Sequence, residues 1–160
     1  DVLKKYVLKS YYSIDEIEKN ILFDKIRLNW SLEHVHNPQQ YFAFFSKRLK
    51  KNGEVLICIP NFDGHIYRID PSISELPIHL YHYKLKNIQD YCKRNKLKIT
   101  FFKTFSYSNM YFFSSLVFKN DYLKKFRNMS INSLRDYQNY LNIIDNKNQG
   151  NDMVLKITHD

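Results

Sequence analysis

Glycine is scarce in this chain, and its scarcity restricts what the chain can bind. Only 3 of the 160 residues are glycine, and Gly53, Gly64 and Gly150 lie far apart. The sequence therefore contains no G-x-G turn, the pattern that lets a backbone approach the phosphates of a bound nucleotide. These 160 residues therefore lack a glycine-rich segment that could bind a nucleotide or nucleoside.

Cysteine and long apolar runs are scarce too. The two cysteines, Cys58 and Cys92, fall on apolar positions of predicted elements and lack metal-type spacing, so we expect reduced core thiols. No apolar run approaches the ~20 residues of a membrane span. No signal peptide is visible. These observations predict a cytoplasmic protein without a membrane span.

Positive charge and apolar bulk are plentiful. The formal net charge is +9, and hydrophobic residues make up 44% of the chain, which is ample for a core. The lysines are mostly scattered, with clusters only at 47–51 and 119–127, and no nucleic-acid-binding module pattern is present. A solvated basic surface is favoured, and nucleic acid is not expected as a partner. A basic nucleic-acid-binding module is the weaker alternative, and its binding would fall steeply with salt.

The clearest structural signal is one β-α-β unit. Apolar and polar residues alternate from Leu22 to Trp30, which predicts a strand. Asn37 followed by Pro38 predicts a helix start, because Asn caps the free amides and Pro has no N–H to leave unpaired. Helical spacing continues toward Gly53, a predicted stop signal, and the apolar stretch Val55–Ile59 predicts a strand covered on both faces. Polar residues follow the first strand, at the edge where open α/β sheets bind ligands.

The rest of the chain predicts shorter elements. Ser13 is a candidate cap for a turn of helix at 13–20, and 61–80 is expected to be a long irregular connection, often a functional feature. The aromatic block at 107–118 predicts a lid or core helix, with an amphipathic membrane-lying helix as the alternative. Other expected elements are a strand at 6–8, a helix at 85–93 with Ile88, Tyr91 and Cys92 inward, a strand at 97–105, a helix at 133–144 with Leu134, Tyr137, Leu141 and Ile144 on one face, a turn at 150–152 and a strand at 153–157.

Three stretches form an ordered series. They are FDKIRLNWSLEHVHNP at 23–38, LKKNGEVLICIPN at 49–61 and HLYHYKLKNIQDYCKRNKLKI at 79–99. The series resembles the second half of a class I S-adenosylmethionine-dependent methyltransferase of the type 11 or type 23 kind. The resemblance implies an α/β fold: part of a Rossmann-like sheet, mainly parallel with an antiparallel last strand, and a helical insertion before that strand. It divides the chain into a core part at 1–105, an insertion or lid at 106–150 and a final core strand at 151–160.

The chain departs from that family pattern in several places. The sequence KNG at 51–53 replaces the usual Pro-Gly-Gly. Lys96 stands where a glycine usually ends the later helix, so Asn95 is expected to take the left-handed cap instead. The glycine-rich front of the family is missing, and the first residue is Asp1 rather than Met. We therefore expect a fragment that binds the cofactor poorly alone and is marginally stable, because its first strand would present an open edge.

The resemblance also implies which residues face the cofactor, S-adenosylmethionine. Residues at the end of the first strand would face its methionine part, with Leu32 near the transferring methyl group. An apolar-acid pair, Ile14 and Asp15, would flank the adenine, and Asp15 is equally well explained as an acid in the first turn of a helix. The implied cofactor-binding residues are Ile14, Asp15, Asn29, Trp30, Ser31 and Leu32.

Histidines supply the candidates for chemistry. His34 is the best candidate for a general base, because its unperturbed pKa lies near neutrality. Alternatively, Glu33 and His34 only fix the loop by bonding to backbone amides. Glu33, His79 and His82 are expected on the substrate side. Some methyltransferases with a Glu-x-x-Glu-His motif bind a metal ion, but Trp30 occupies the position of the first Glu here, so no metal is expected.

The leading functional interpretation is S-adenosylmethionine-dependent methyl transfer to a small-molecule acceptor, such as a sugar or another metabolite, by the full-length protein. The alternative is a non-catalytic half, either a degenerate relative of such enzymes or a partner subunit that docks on a complete one. The enzyme interpretation predicts a glycine-rich strand-turn-helix upstream of these residues, and the degenerate interpretation predicts none.

Overall fold

A mixed β-sheet organises the part of the chain that the computed structural model describes, residues 9–69, 77–106 and 134–160. The strands are β1 (Phe23–Asn29), β2 (Leu49–Pro60), β3 (Leu97–Phe105) and β4 (Asp152–His159). The helices are α1 (Pro38–Arg48), α2 (His65–Ile69), α3 (Leu85–Arg94) and α4 (Leu134–Asn146), with 3-10 turns at Ile14–Glu16 and Leu32–His34. Helices lie between successive strands along the chain, which is an α/β arrangement.

The order and direction of the strands agree with the expected sheet. The strand order is β1-β2-β4-β3. β1 and β2 pair in parallel, whereas β4 lies between β2 and β3 and is antiparallel to both. β1, β2 and β3 therefore run in the same direction, and the last strand is reversed. The expectation of a mainly parallel sheet with an antiparallel last strand is confirmed.

α1 begins where the sequence predicts but ends earlier. The Asn37 side-chain oxygen accepts a hydrogen bond from the Gln40 backbone N–H at 3.4 Å, and Pro38 occupies the first helical position. The helix ends at Arg48, and the residues that follow belong to β2. The prediction that Gly53 stops the helix is therefore wrong.

Gly53 has a packing role inside β2 instead. The register between β1 and β2 shifts, with Phe23 opposite Leu49 but Lys25 opposite Glu54. Gly53 lies among the extra residues of β2, and a Cβ atom there would stand 2.8 Å from both the Phe23 carbonyl oxygen and a Leu49 methyl carbon. Because only glycine allows this close approach, pairing with β1 accounts for the residue better than a helix-ending signal does.

The core lies between the sheet and the helices α1 and α3. Phe42 and Phe45 of α1 are completely or almost completely buried. The Phe42 ring stacks on Tyr91 of α3, with ring centroids 4.9 Å apart, so the two helices meet over the sheet. The central strands contribute the buried side chains Val55, Ile57, Ile59, Met153, Leu155 and Ile157. The apolar stretch in β2 thus forms the central strand that its composition predicts.

The inward faces of the later helices also follow the sequence pattern. Ile88 and Cys92 of α3 are buried, and Tyr91 packs against the same core. In α4, which packs against β3, Leu141 and Ile144 are buried. For Leu134 and Tyr137 the structure describes the backbone only, so their predicted inward side chains lie outside the described part.

Both cysteines are free, buried thiols, as the sequence predicts. Burial is the main cause that raises the pKa of Cys58 to about 11, with smaller contributions from the negative charges of Asp152 and Glu33. Burial alone raises the pKa of Cys92 to about 12. Both thiols are therefore protonated at neutral pH.

The end of α3 differs from the expectation. Lys96 itself adopts the left-handed conformation, with φ of 55°, whereas Asn95 has φ of −110°. The Asn95 side chain donates to the Tyr91 carbonyl at 2.7 Å and accepts from Gln39 at 3.1 Å. These bonds hold Asn95 outside the left-handed region, so the lysine takes a conformation that costs roughly 1–2 kcal/mol for a residue with a Cβ atom.

Several local predictions are refined. The turn after Ser13 is only a 3-10 turn, with the Ser13 hydroxyl accepting from the Asp15 N–H at 3.0 Å. The connection 61–80 is not wholly irregular, because it contains α2. The predicted strand at 6–8 and helix at 107–118 lie outside the described residues. Among the helices that the structure describes, none has both the length and the apolar character needed to cross a membrane.

Candidate functional site

The candidate site begins where β1 and β2 end side by side. Asn29 lies opposite Cys58, and the Trp30 backbone N–H donates to the Cys58 carbonyl at 2.8 Å. Trp30 then has φ of 41°, so the chain turns sharply out of the sheet. The carboxyl ends of parallel strands are the place where α/β sheets bind ligands.

Trp30 is held in this turn by its side chain as well. The indole N–H donates to an Asp152 carboxylate oxygen at 3.1 Å, and Asp152 is the first residue of β4. Asp152 is buried, while Trp30 keeps 40% of its surface exposed. An exposed aromatic side chain therefore stands at the carboxyl edge of the sheet, and its indole N–H is held by the buried Asp152.

The residues after Trp30 form the 3-10 turn that places the acid and the histidine. Leu32 is fully buried in the core, and its carbonyl accepts from the Tyr83 hydroxyl at 3.2 Å. Glu33 is 1% exposed, whereas the His34 side chain is 39% exposed. The turn thus directs one side chain into the protein and the next toward solvent.

The position and tautomer of the His34 ring are fixed by a backbone oxygen. The His34 Nδ1 atom lies 3.0 Å from the Ile78 carbonyl oxygen. Because a carbonyl oxygen can only accept, Nδ1 carries the hydrogen and donates it. In the neutral ring the lone pair is then on Nε2, which stands 3.9 Å from a carboxylate oxygen of Glu33.

The segment that supplies Ile78 is tied directly to the turn. The backbone N–H groups of Leu80 and Tyr81 both donate to the Glu33 carbonyl, at 2.9 and 3.2 Å. The Tyr81 hydroxyl donates to the His36 carbonyl at 3.0 Å. These bonds cross more than forty residues of sequence and hold the two segments in one arrangement.

This arrangement brings three of the predicted residues into a cluster, here called the histidine cluster: Glu33, His34 and His79. One ligand-type atom from each residue lies within 4.8 Å of those of the other two. The rings of His34 and His79 meet edge to face, with centroids 4.9 Å apart, and His79 is buried. His82 is the next ring along, 6.3 Å from His79, and it packs on Phe62 at 4.8 Å.

The predicted adenine-side residues lie in a different place. Ile14 lines an apolar groove of about 340 Å³ beside β1 and α1, together with Phe23, Ile26 and Phe44. The Asp15 carboxylate accepts from the Gln40 side chain at 2.8 and 2.9 Å. The lining residues of this groove do not include the histidine cluster, so the two features are separate.

The two remaining predicted residues are near the end of β1. Asn29 is exposed, and its side-chain oxygen accepts from Arg27 at 2.9 Å. Ser31 is half-buried and makes no side-chain capping bond to the 3-10 turn. Both positions border the exposed face of Trp30 along the chain.

Sequence reasoning missed the groups that orient the site. Asp152 holds the Trp30 indole, the Ile78 carbonyl orients His34, and Tyr83 supports Leu32. All three lie far along the chain from the residue that they support. The only sequence signal was that Asp152 immediately precedes the last apolar strand, which does not by itself indicate a contact with Trp30.

Comparison with known proteins identifies the fold but not a sequence family. No protein-family model matches the chain, and no curated protein matches it. Among solved structures, a SAM-dependent methyltransferase of Thermotoga maritima is 13% identical with a TM-score of 0.52, over 89% of this chain and 58% of its own. One from Clostridium acetobutylicum is 13% identical with a TM-score of 0.52, over 94% and 63%. A Haloferax volcanii structure contains the Trm112 methyltransferase activator and a methyltransferase. It is 10% identical to this chain with a TM-score of 0.52, over 86% of this chain and 54% of the solved chain.

These likenesses, together with the strand order, establish the class of fold. The chain has the fold of the carboxyl-terminal part of a class I S-adenosylmethionine-dependent methyltransferase. It spans 58%, 54% and 63% of the lengths of the three solved chains.

Proposed function

We propose that this chain is the acceptor-side part of an S-adenosylmethionine-dependent methyltransferase that modifies a small molecule, such as a sugar or another metabolite. The observation that carries the proposal is the histidine cluster, which stands at the carboxyl edge of a methyltransferase-type sheet. The Glu33 carbonyl accepts from the Leu80 and Tyr81 amides, which follow His79, and the exposed member, His34, faces solvent. That is the arrangement needed to orient a polar acceptor.

The chemistry assigned to the chain is removal of a proton from the acceptor. S-adenosylmethionine, when bound, supplies a methyl group on a sulfonium centre. A hydroxyl acceptor loses its proton as its oxygen forms the new bond to carbon and the carbon–sulfur bond breaks. The His34 Nε2 atom takes that proton, and the Glu33 carboxylate beside it stabilises the resulting imidazolium.

The described residues fit one side of such a cofactor only. In this proposal the exposed Trp30 and the neighbouring Ser31 and Asn29 would contact its methionine part, and their exposure supports that role for Trp30 and Asn29. The Leu32 side chain is fully buried, so in this proposal only its backbone approaches the methyl group. Ile14, which lines the apolar groove beside β1, and the neighbouring Asp15 would contribute to the adenine side.

The rest of the cofactor site would come from a segment that completes the sheet at β1. β1 is an end strand of the described sheet, and the apolar groove runs beside it. Strand edges next to apolar surface favour the addition of further strands. The same edge also supports the second candidate function, a partner subunit or degenerate half that docks on another protein without catalysing transfer.

Calorimetric titration with S-adenosylhomocysteine distinguishes these two functions. The titration is run on this chain and on a longer chain that includes the preceding coding sequence. Binding to the longer chain only is the result expected for an enzyme. Binding to neither, with both chains folded by circular dichroism, would contradict the enzyme and favour the docking role.

A further inference from the structure

We propose that Glu33, His34 and His79 form a binding site for a divalent transition-metal ion such as Zn²⁺. Each residue offers one ligand atom, and these atoms lie within 4.8 Å of one another. Two imidazole nitrogens and one carboxylate oxygen suit Zn²⁺ and the neighbouring first-row metals. Ligands bound to one tetrahedral Zn²⁺ stand about 3.4 Å apart, so a contraction of at most about 1.4 Å brings the ligand atoms around an ion.

The orientation of His34 is the first specific observation in favour of an ion. Its Nδ1–H donates to the Ile78 carbonyl, and its Nε2 atom stands 3.9 Å from a Glu33 carboxylate oxygen. In the neutral ring Nε2 is the acceptor nitrogen, which is the form that binds a metal ion. Metal-binding histidines usually donate their other N–H to a carbonyl or a carboxylate, as His34 does here.

The second observation is that the cluster is preorganised. Glu33 is 1% exposed and His79 is 8% exposed, so two of the three side chains are held inside the protein. The bonds from the Leu80 and Tyr81 amides to the Glu33 carbonyl fix the distance between the segment of Glu33 and the segment of His79. A cation next to the buried carboxylate would stabilise its ionised form.

The third observation is that one side of the cluster is open. The His34 side chain is 39% exposed, so an ion bound there would face solvent on that side. Three protein ligands with an open position is the arrangement of catalytic rather than structural zinc sites. The sequence argument against a metal treated Trp30 as a lost ligand, but the fold brings in His79 as a third donor.

Metal binding goes beyond the proposed methyl transfer and does not depend on it. If both hold, the ion occupies His34 Nε2 and takes over the role assigned to the imidazole. Such an ion, held by Glu33, His34 and His79, would lower the pKa of an acceptor hydroxyl, and the proton would pass to solvent instead of to His34. The two proposals therefore share residues but make separate measurements possible.

The test uses the untagged 160-residue chain, stripped with a chelator and dialysed. Zn²⁺ is titrated by calorimetry, and Co²⁺ is titrated by visible absorption, with no S-adenosyl compound present. We expect one equivalent to bind and a tetrahedral Co²⁺ spectrum. Glu33→Gln, His34→Asn and His79→Asn should each weaken binding at least about tenfold. His36→Asn is the matched control, because His36 is exposed, lies on the same loop and is not one of the clustered ligands. This variant should bind Zn²⁺ with the affinity of the unchanged chain.

The outcome is decided by folded variants only. Far-UV circular dichroism checks each variant, and if the buried His79→Asn fails to fold, the near-isosteric Glu33→Gln and the exposed His34→Asn decide. The site would be overturned if the folded chain bound no metal, or if folded Glu33→Gln and His34→Asn bound it as tightly as the unchanged chain does. Because no cofactor is present, failure of the methyltransferase proposal leaves this result unaffected.

Discussion

The two end strands of the described sheet, β1 and β3, end it in different ways. Along β3 the register with β4 shifts between Ile99 and Phe101, and the lysines at 98 and 103 are exposed. Strand irregularities and exposed lysines are devices that prevent further strands from pairing. α4 also packs against β3. β3 therefore combines an irregular, charged edge with a helix packed against it.

β1 also has a register shift and an exposed lysine, Lys25, so the difference between the two strands lies in their surroundings. An apolar groove lined by Ile14, Phe23, Ile26 and Phe44 lies beside it. Leu22, just before the strand, is 50% exposed. In the function proposed above the sheet would continue through β1, which would place the histidine cluster near the middle of the larger sheet. Among the described residues, the histidine cluster and the edge beside the apolar groove adjoin the same strand.

The largest effect is expected at the end of β1. In the longer protein, His34→Asn should lower the rate of methyl transfer by about 10²–10⁴-fold, because the proton acceptor or ion ligand is lost. The rate is measured as S-adenosylhomocysteine released with saturating acceptor. His36→Asn, an exposed neighbour, should keep the wild-type rate. Equal rates for the two variants would show that His34, at the end of β1, takes no part in methyl transfer.

The core beneath the groove should be strongly stabilising. Phe45 lines the groove but is 1% exposed, so Phe45→Ala should lower the free energy of unfolding by about 3–5 kcal/mol through lost burial and a cavity. Phe101→Ala on β3 is the control, since Phe101 is 47% exposed and should change stability by less than about 0.5 kcal/mol. Urea denaturation measures both, and similar losses would show that the two edges do not differ as described.

Self-association compares the two edges directly. Leu22→Lys places a charge beside the open edge and should weaken any self-association of this chain several-fold. Phe101→Lys places the same charge on β3 and should have little effect, because α4 already packs against that strand. Sedimentation velocity at several concentrations gives both association constants. A larger effect at β3 would reverse the assignment of the edges.

A labelling-rate effect is expected at the thiols of the buried core. With pKa values raised to about 11 and about 12, Cys58 and Cys92 become thiolates only as the pH rises toward those values. At pH 8–9 a thiol-specific disulfide reagent should label the native chain at least about tenfold more slowly than the urea-unfolded chain, whose thiols titrate near 8.5. Rapid labelling of Cys58 in the native chain would show that the carboxyl end of β2 opens readily.

The parts of the fold that were predictable depend on local signals. Alternation in β1, the Asn37 cap and the apolar run in β2 each act within a few residues, and each was placed correctly. The end of α1 was misplaced because the residues near Gly53 pair with β1, a contact that local pattern does not contain. Lys96 was misassigned for a similar reason, since the bonds of Asn95 to Tyr91 and Gln39 decide its conformation.

The site was predictable only in part. Glu33 and His34 follow β1 directly, so their position at the carboxyl edge could be inferred from the strand. The approach of His79 depends on the Leu80 and Tyr81 amides bonding back to the Glu33 carbonyl across the long connection. The arrangement that favours a metal ion therefore arises from tertiary structure, and the sequence argument led to the opposite expectation.

Hydrogen exchange along β1 is the most direct test of the proposal that the sheet continues past this strand. The Trp30 N–H bonds to β2, and side alternation along the strand then directs the Leu28 amide to β2 and the Arg27 and Asn29 amides to the open edge. We predict that Arg27 and Asn29 exchange fast in this chain and become protected in the longer protein, while Leu28 is protected in both. Fast exchange of Arg27 and Asn29 in the folded longer protein would contradict the account.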